Sequence, residues 1–129
     1  MKEFMYVEVV KNSQISKQGI FQLVINTSQS ISPGQFFNLY IDDKSLLLPR
    51  PISVSESAQN LIKFVYRIAG KETEKLAQLK CGDKIKILGP LGNGFFLPDY
   101  ETTSIVIGGG VGIAPLLELT KKIKDSCII

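Results

Sequence analysis

β-forming residues arrive in this chain as short runs, and a turn signal closes each run before it grows into anything longer. Residues 4–10 and 19–25 are rich in aliphatic, β-branched and aromatic side chains. Ser32-Pro33-Gly34-Gln35 then marks a turn, because Pro presets φ at its second position and Gly supplies a positive φ at its third. Strands are predicted over 36–41, closed by Asp42-Asp43-Lys44, and over 50–54 and 61–68, which the polar stretch 56–60 separates. Between residues 70 and 80 the spacing of Leu76 and Leu79 predicts a short helix. Thr73 is its candidate N-cap and Gly82 its candidate C-cap. A sixth strand follows over 84–88. Six short strands with one short helix predict a mainly β fold, a small antiparallel barrel.

The pattern changes at Ser104. Ile105-Val106-Ile107 is a short apolar strand, followed by Gly108-Gly109-Gly110-Val111-Gly112 and a helical stripe of Leu116, Leu119 and Ile123. Glu118 and Lys122 are spaced to pair along that helix. The predicted organisation is a barrel domain over residues 1–100 and, over 101–129, the opening β-α unit of a doubly wound α/β domain. Residues 104–129 are too few for a complete parallel βαβ unit, so a second strand can only begin near Cys127. The expectation is therefore a truncated second domain, whose exposed strand edges and apolar helix stripe predict self-association through 104–129.

Composition narrows the chemistry. A chain of 129 residues with 44% hydrophobic and 21% charged residues can bury a core, which excludes disorder and collagen-like repetition. No apolar run reaches the length of a membrane span, and the N-terminus lacks the pattern of a signal peptide, so a soluble cytoplasmic protein is expected. Fifteen Lys and Arg against twelve Asp and Glu leave +3, too scattered to predict a nucleic-acid partner. There is no His, which removes imidazole acid–base chemistry and His metal ligation. Cys81 and Cys127 form no CxxC pair and are expected to be buried thiols. Any chemistry here belongs to a bound organic cofactor.

Three motifs point to such a cofactor. In Arg50-Pro51-Ile52-Ser53, an Arg fixed by the following Pro can present a rigid fork to a diphosphate, and the Ser53 hydroxyl can bond a ring heteroatom. Gly110-Val111-Gly112-Ile113-Ala114-Pro115 carries the first two glycines of a dinucleotide-binding turn, with Pro at the third position. Gly89-Pro90-Leu91-Gly92-Asn93-Gly94-Phe95 demands several unusual backbone conformations or close approaches. Each also has a plainer reading: a solvated Arg-Pro turn, a glycine turn that binds nothing, an ordinary surface loop.

In this order, these motifs together with Val65-Tyr66-Arg67 and the segment from Gly70 to Thr73 resemble the ferredoxin–NADP reductase superfamily. Within it, Arg50-Pro51-Ile52-Ser53 paired with the 89–94 loop is most similar to the electron-transfer subunits of NAD-dependent dihydroorotate dehydrogenases, enzymes of pyrimidine synthesis. The resemblance implies a six-stranded FAD-binding barrel followed by an NAD-binding domain. Its partner would be a catalytic, FMN-containing dihydroorotate dehydrogenase subunit. It further implies that Arg50, Pro51, Ile52 and Ser53 line the flavin and its diphosphate, with Ser53 at the reacting edge as the catalytic candidate. Val65, Tyr66 and Arg67 would touch the cofactor from the next strand, the segment ending in Glu72 and Thr73 would cradle the pyrophosphate, and Gly108, Gly109, Gly110 and Gly112 would begin the NAD site. Two other readings stand beside it: a related reductase flavoprotein of the sulfide dehydrogenase or ferredoxin:NADP oxidoreductase type, and an inactive barrel without cofactor.

The chain departs from that family in two further respects. The family carries Gly-x-Gly-Thr where this chain has Gly70-Lys71-Glu72-Thr73, so Glu72 is expected to repel a diphosphate unless it faces solvent or pairs with Lys71 or Lys75. The four cysteines that hold a [2Fe–2S] cluster in the family have no counterpart here, so no metal site is expected in this chain.

Overall fold

Alternation of buried and exposed side chains curls the N-terminal strands into a closed barrel, seen in a computed structural model that describes residues 3–99, 101–123 and 126–129. The barrel strands are β1 (Phe4–Ser16), β2 (Ile20–Asn26), β3 (Phe36–Tyr40), β4 (Arg50–Ala58), β5 (Leu61–Arg67) and β6 (Lys84–Leu91). They are joined antiparallel in the order β1-β2-β5-β4-β3-β6, and β6 closes back on β1. On β5, Ile62, Phe64 and Tyr66 point inward and Lys63, Val65 and Arg67 outward, the period of two that a sheet imposes. Phe37, Leu39, Leu23, Ile25, Val54 and Ile87 complete an interior that excludes solvent. Phe37 and Phe64 meet edge to face at 5.8 Å across it.

The predicted six-strand antiparallel barrel is what the structure contains, and the differences lie in where strands end. β1 runs to Ser16 rather than residue 10, because register shifts at Val10 and Ile15 break the alternation that marks a strand in sequence. β4 continues to Ala58, and its turn to β5 is only Gln59 and Asn60, both at positive φ. β6 extends past Gly89 and Pro90 to Leu91.

Helix α1 (Lys71–Leu76) is shorter than the predicted 70–80 span and differs from it at both ends. Gly70, not Thr73, is the N-cap. Thr73 sits inside the first turn, where its hydroxyl accepts from the Ala69 amide at 2.8 Å and donates to the Gly70 carbonyl at 3.1 Å. Gly82 does not cap the helix, which ends at Ala77; its φ of 92° instead shapes the turn that donates the Gly82 amide to the Val9 carbonyl and accepts the Val9 amide at the Asp83 carbonyl. The helix C-terminus is satisfied from a distance. Asn12 of β1 donates its amide to the carbonyls of Leu76 and Leu79 at 2.8 and 3.0 Å, and its side-chain oxygen accepts from the Tyr66 hydroxyl at 3.0 Å. Leu76 thereby seals one end of the barrel, fully buried. Cys81 is exposed in the following turn, so the expected buried thiol is not found there. The side chain of Cys127 lies outside the described residues.

After the barrel come β7 (Ser104–Val106), a 3-10 turn (Gly110–Ile113), α2 (Leu116–Thr120) and β8 (Ser126–Ile128), with β8 parallel to β7. This is the β-α unit expected from the sequence with its second strand just begun. The expected Glu118–Lys122 pair does not form, because α2 is a single turn and Glu118 faces the barrel instead. Among the described residues, no helix is long and apolar enough to cross a membrane.

Candidate functional site

Arg50 opens β4 at the barrel rim. Directly opposed residues of antiparallel strands project to one face, and Arg50 opposes the fully buried Leu39, as Ile52 opposes Phe37. Arg50 and Ile52 therefore leave the strand on the barrel side. Pro51 and Ser53, opposite Asn38 and Phe36, leave on the outer side. From the rim the Arg50 side chain reaches α1, where its terminal nitrogen donates to the Glu72 carboxylate at 2.9 Å. The expected partners of Glu72 were Lys71 or Lys75. Lys75 is drawn off to Asp43 at 3.6 Å, and the Arg from 22 positions away takes its place. The Glu72 carboxyl is held below the ordinary carboxylate range first by its own backbone N–H and then by the Arg50 guanidinium.

The pair leaves one donor unmet. Arg50 Nε is buried and, among the described residues, has no hydrogen-bond partner. An orphaned N–H of this kind costs about 1–3 kcal/mol. The local donors thus amount to a guanidinium with one terminal nitrogen used by a carboxylate and its Nε idle, beside the Gly70 turn. That donor set fits an anion with several oxygens, such as a diphosphate, better than it fits one carboxylate.

The remaining predicted residues separate into groups. Tyr66 is buried, stacked on Phe21 at 5.7 Å and bonded to Asn12, and burial pushes its phenol up to about 12. Its side chain belongs to the barrel core, so only its backbone remains to meet a ligand. Both ends of the Thr73 hydroxyl are committed to the turn before α1. Arg67 is exposed at the end of β5. Ser53 lies beside Phe36, whose ring also packs under the Gly92 turn. Val65, Gly108 and Gly110 come together elsewhere, on an apolar cavity of about 420 Å³ between the barrel wall and the β7-α2 unit. Gly109 and Gly112 are exposed, with open space where a Cβ would stand. At Gly108, a Cβ would strike Ile113 and Leu116 at 2.7 and 2.8 Å, so strand-to-helix packing alone requires that glycine.

The 89–95 loop has a structural account too. A Cβ on Gly89 would run into the Phe37 ring, around which β6 bulges. Gly94, at φ 76°, passes so close to the Pro33 carbonyl that a Cβ would stand 2.9 Å from it. The Phe95 amide donates to the same carbonyl at 2.7 Å, and Gln35 donates to the Gly92 carbonyl at 2.9 Å. The loop and the Ser32–Gln35 turn interlock.

Sequence reasoning missed the contact that docks the C-terminal unit. β3 is five residues long and β4 nine, and β3's pairing reaches only Ser53. Glu118, almost fully buried, accepts the Ser57 amide of β4 at 2.9 Å. Lys121 binds Glu56 of β4 at 2.6 Å and lies 3.6 Å from Glu118, and Lys63 binds Glu56 at 3.0 Å. Hydrogen bonds from Lys121 and Lys63 hold the Glu56 carboxyl below its ordinary range. No mismatch in strand length is legible in the sequence, where these strands read as 36–41 and 50–54; the extension of β4 to Ala58 that receives Glu118 appears only in the fold.

A closed six-stranded antiparallel barrel, plugged by one short helix and followed by a parallel β-α unit, defines a ferredoxin reductase-like flavin-binding architecture. The chain belongs to the oxidoreductase FAD-binding domain family, which it matches over residues 6–96. It is 41% identical to the electron transfer subunit of dihydroorotate dehydrogenase B (NAD(+)) from Clostridium acetobutylicum, over 97% of this chain and 51% of that protein. The subunit of the same name from Enterococcus faecalis is 36% identical over 91% of this chain and 47% of its own length. This chain therefore spans about half the length of the curated relatives it matches. Among solved structures, an NADH-dependent reduced ferredoxin–NADP oxidoreductase superimposes with a TM-score of 0.82 at 30% identity, over 95% of this chain and 46% of that one. A flavohemoglobin from Malassezia yamatoensis with bound FAD and heme shares the fold at a TM-score of 0.80 and 16% identity, over 97% of this chain and 44% of its own.

Proposed function

We propose that this chain is the FAD-binding portion of an electron-transfer subunit of the dihydroorotate dehydrogenase B type. The carrying observation is 41% identity along 97% of the chain to a protein of that name. In this reading residues 1–100 are the FAD domain, and 101–129 begin the NAD-binding domain. Arg50 binds the diphosphate through its guanidinium, including the Nε that its present partner leaves unsatisfied. Ile52 and Pro51 flank the flavin, Ser53 bonds its reacting edge, and Val65 and the backbone of Tyr66 and Arg67 bound the site from β5. Gly108–Gly112 would approach the nicotinamide nucleotide through backbone amides. FAD, once bound, supplies hydride exchange with a nicotinamide and single-electron exchange with an iron–sulfur centre. The protein contributes binding, ring orientation and exclusion of water, since a chain without His offers no imidazole to move a proton.

A [2Fe–2S] cluster with four thiolate ligands exceeds the two cysteines available, so its ligands would come from elsewhere in the enzyme. Among the described residues, no group of three or more His, Cys, Asp or Glu is placed to hold a metal ion. The physiological partner in this reading is the FMN-containing catalytic subunit. FAD titration of the purified chain, followed by flavin absorbance and fluorescence, tests the cofactor assignment. Failure to bind FAD at micromolar concentration, both by this chain and by its Glu72→Gln variant, would refute it. Reconstitution with a dihydroorotate-oxidising subunit tests the enzyme assignment. The 30% identity to the reduced ferredoxin–NADP oxidoreductase favours a second reading, and rescue of ferredoxin reduction alone would select it.

A further inference from the structure

We infer that Glu72 is a tethered stand-in for the anionic ligand of Arg50, so that FAD can load only by displacing it, and that Glu72 thereby sets the flavin affinity of this chain. The inference rests on the FAD reading above. It is carried by the geometry of the rim: the Glu72 carboxylate occupies the terminal nitrogen of Arg50 at 2.9 Å. The other carboxylate oxygen lies over Gly70, 3.6 Å from where a Cβ would stand. Carboxylate and guanidinium thus fill the rim between β4 and α1 with a matched pair of charges.

A diphosphate and the Glu72 carboxylate cannot share one edge of the guanidinium. Held together they would also repel, both being anions. The diphosphate has the advantage of more oxygens, because it can satisfy the buried Arg50 Nε that Glu72 leaves without a partner. Glu72 has the advantage of being tethered, and so competes at a high effective concentration. The observed affinity for FAD is then the intrinsic affinity scaled by the fraction of molecules in which Arg50 is free. Lys71 and Lys75 do not relieve this competition, since Lys75 is engaged by Asp43 and the carboxylate faces Arg50. Glu74 supplies a built-in comparison. It sits on the same short helix and carries the same charge, but is exposed and, among the described residues, makes no ion pair.

The experiment is FAD binding by fluorescence titration to the 129-residue chain and to its Glu72→Gln and Glu74→Gln variants, with a thermal melt of each without flavin. Glu72→Gln should bind FAD roughly tenfold more tightly than the parent, as expected when a mostly closed site is opened. Glu74→Gln should move affinity by less than about twofold, the screened effect of a distant surface charge. Glu72→Ala serves as the second variant if Glu72→Gln melts early. Equal or weaker binding after removal of Glu72, or an equal gain from Glu74→Gln, overturns the stand-in role and leaves the FAD reading intact. Absence of binding in all the proteins overturns both.

Discussion

Arg50 shows what a single residue discloses in sequence and what it conceals. Its type and the Pro after it announced an anion-binding fork, and the structure puts it at the barrel rim with a donor to spare. Its present partner was illegible, because Glu72 is 22 positions away and reaches it only once β4 and α1 are packed. Lys71 and Lys75 were the neighbours a linear reading had to offer. Replacing Arg50 with Ala should weaken FAD binding by roughly 1.5–3 kcal/mol, the scale of a charge-assisted hydrogen bond to an anionic ligand. Fold stability should change little, since the Arg50–Glu72 pair is partly solvated and the substitution removes an unsatisfied donor along with it. Equal FAD affinities for the two proteins, measured by calorimetric titration, would put the diphosphate elsewhere.

At the scale of elements, strands were legible where alternation is regular and illegible where it is not. β5 reads cleanly as Ile62, Phe64 and Tyr66 inward, whereas β1 hides its second half behind two bulges. Helix α1 was visible through Leu76, but what ends it is Asn12, a β1 residue with no motif around it. Asn12 connects three elements, since its oxygen takes the Tyr66 proton while its amide caps α1. Tyr66→Phe should therefore destabilise the barrel by about 1–2 kcal/mol, mostly by leaving the Asn12 oxygen without its donor. Asn12→Ala should cost more, because the last helix carbonyl, the Leu79 carbonyl beyond it and a buried hydroxyl lose their partner together. Urea denaturation of the three proteins measures both, and an unchanged midpoint for Asn12→Ala would show that water replaces it. The burial that pushes the Tyr66 phenol up to about 12 has its own consequence. The folded state keeps a proton that the unfolded chain releases above about pH 10, so stability should fall as pH rises past that value.

The whole molecule adds what no element shows alone, beginning with its response to acid. Glu56, Glu72 and Asp43 all titrate below their ordinary values, which are 4.5 for the two glutamates and 3.8 for the aspartate. A lowered carboxyl stabilises the fold above its unfolded pKa, and that contribution disappears as pH falls through the folded one. With no His to titrate between pH 5 and 8, melting temperature should stay nearly flat across that window and drop below about pH 4.5. Loss of stability already at pH 6 in a calorimetric series would contradict these assignments.

Docking of the C-terminal unit bears on assembly. The sequence stripe of Leu116, Leu119 and Ile123 looked unpartnered, but the barrel covers much of it: Leu119 is buried, and the other two are half-buried. What stays open is the small parallel sheet, with Ile105, Ile107 and Ile128 about two-thirds or more exposed and Ile113 close to that. Strand edges and apolar side chains in one place favour pairing with another surface. We therefore expect the 129-residue chain to self-associate through this sheet rather than through the helix. Light scattering over a range of concentrations should show a mass that rises with concentration, and the double substitution Ile105→Glu with Ile128→Glu should return it to a monomer. Glu118→Ala should act in the opposite direction, because freeing the Ser57 amide loosens α2 from β4 and exposes Leu119 as well. A parent chain that stays monomeric at every concentration would mean that the exposed isoleucines do not drive contact between copies.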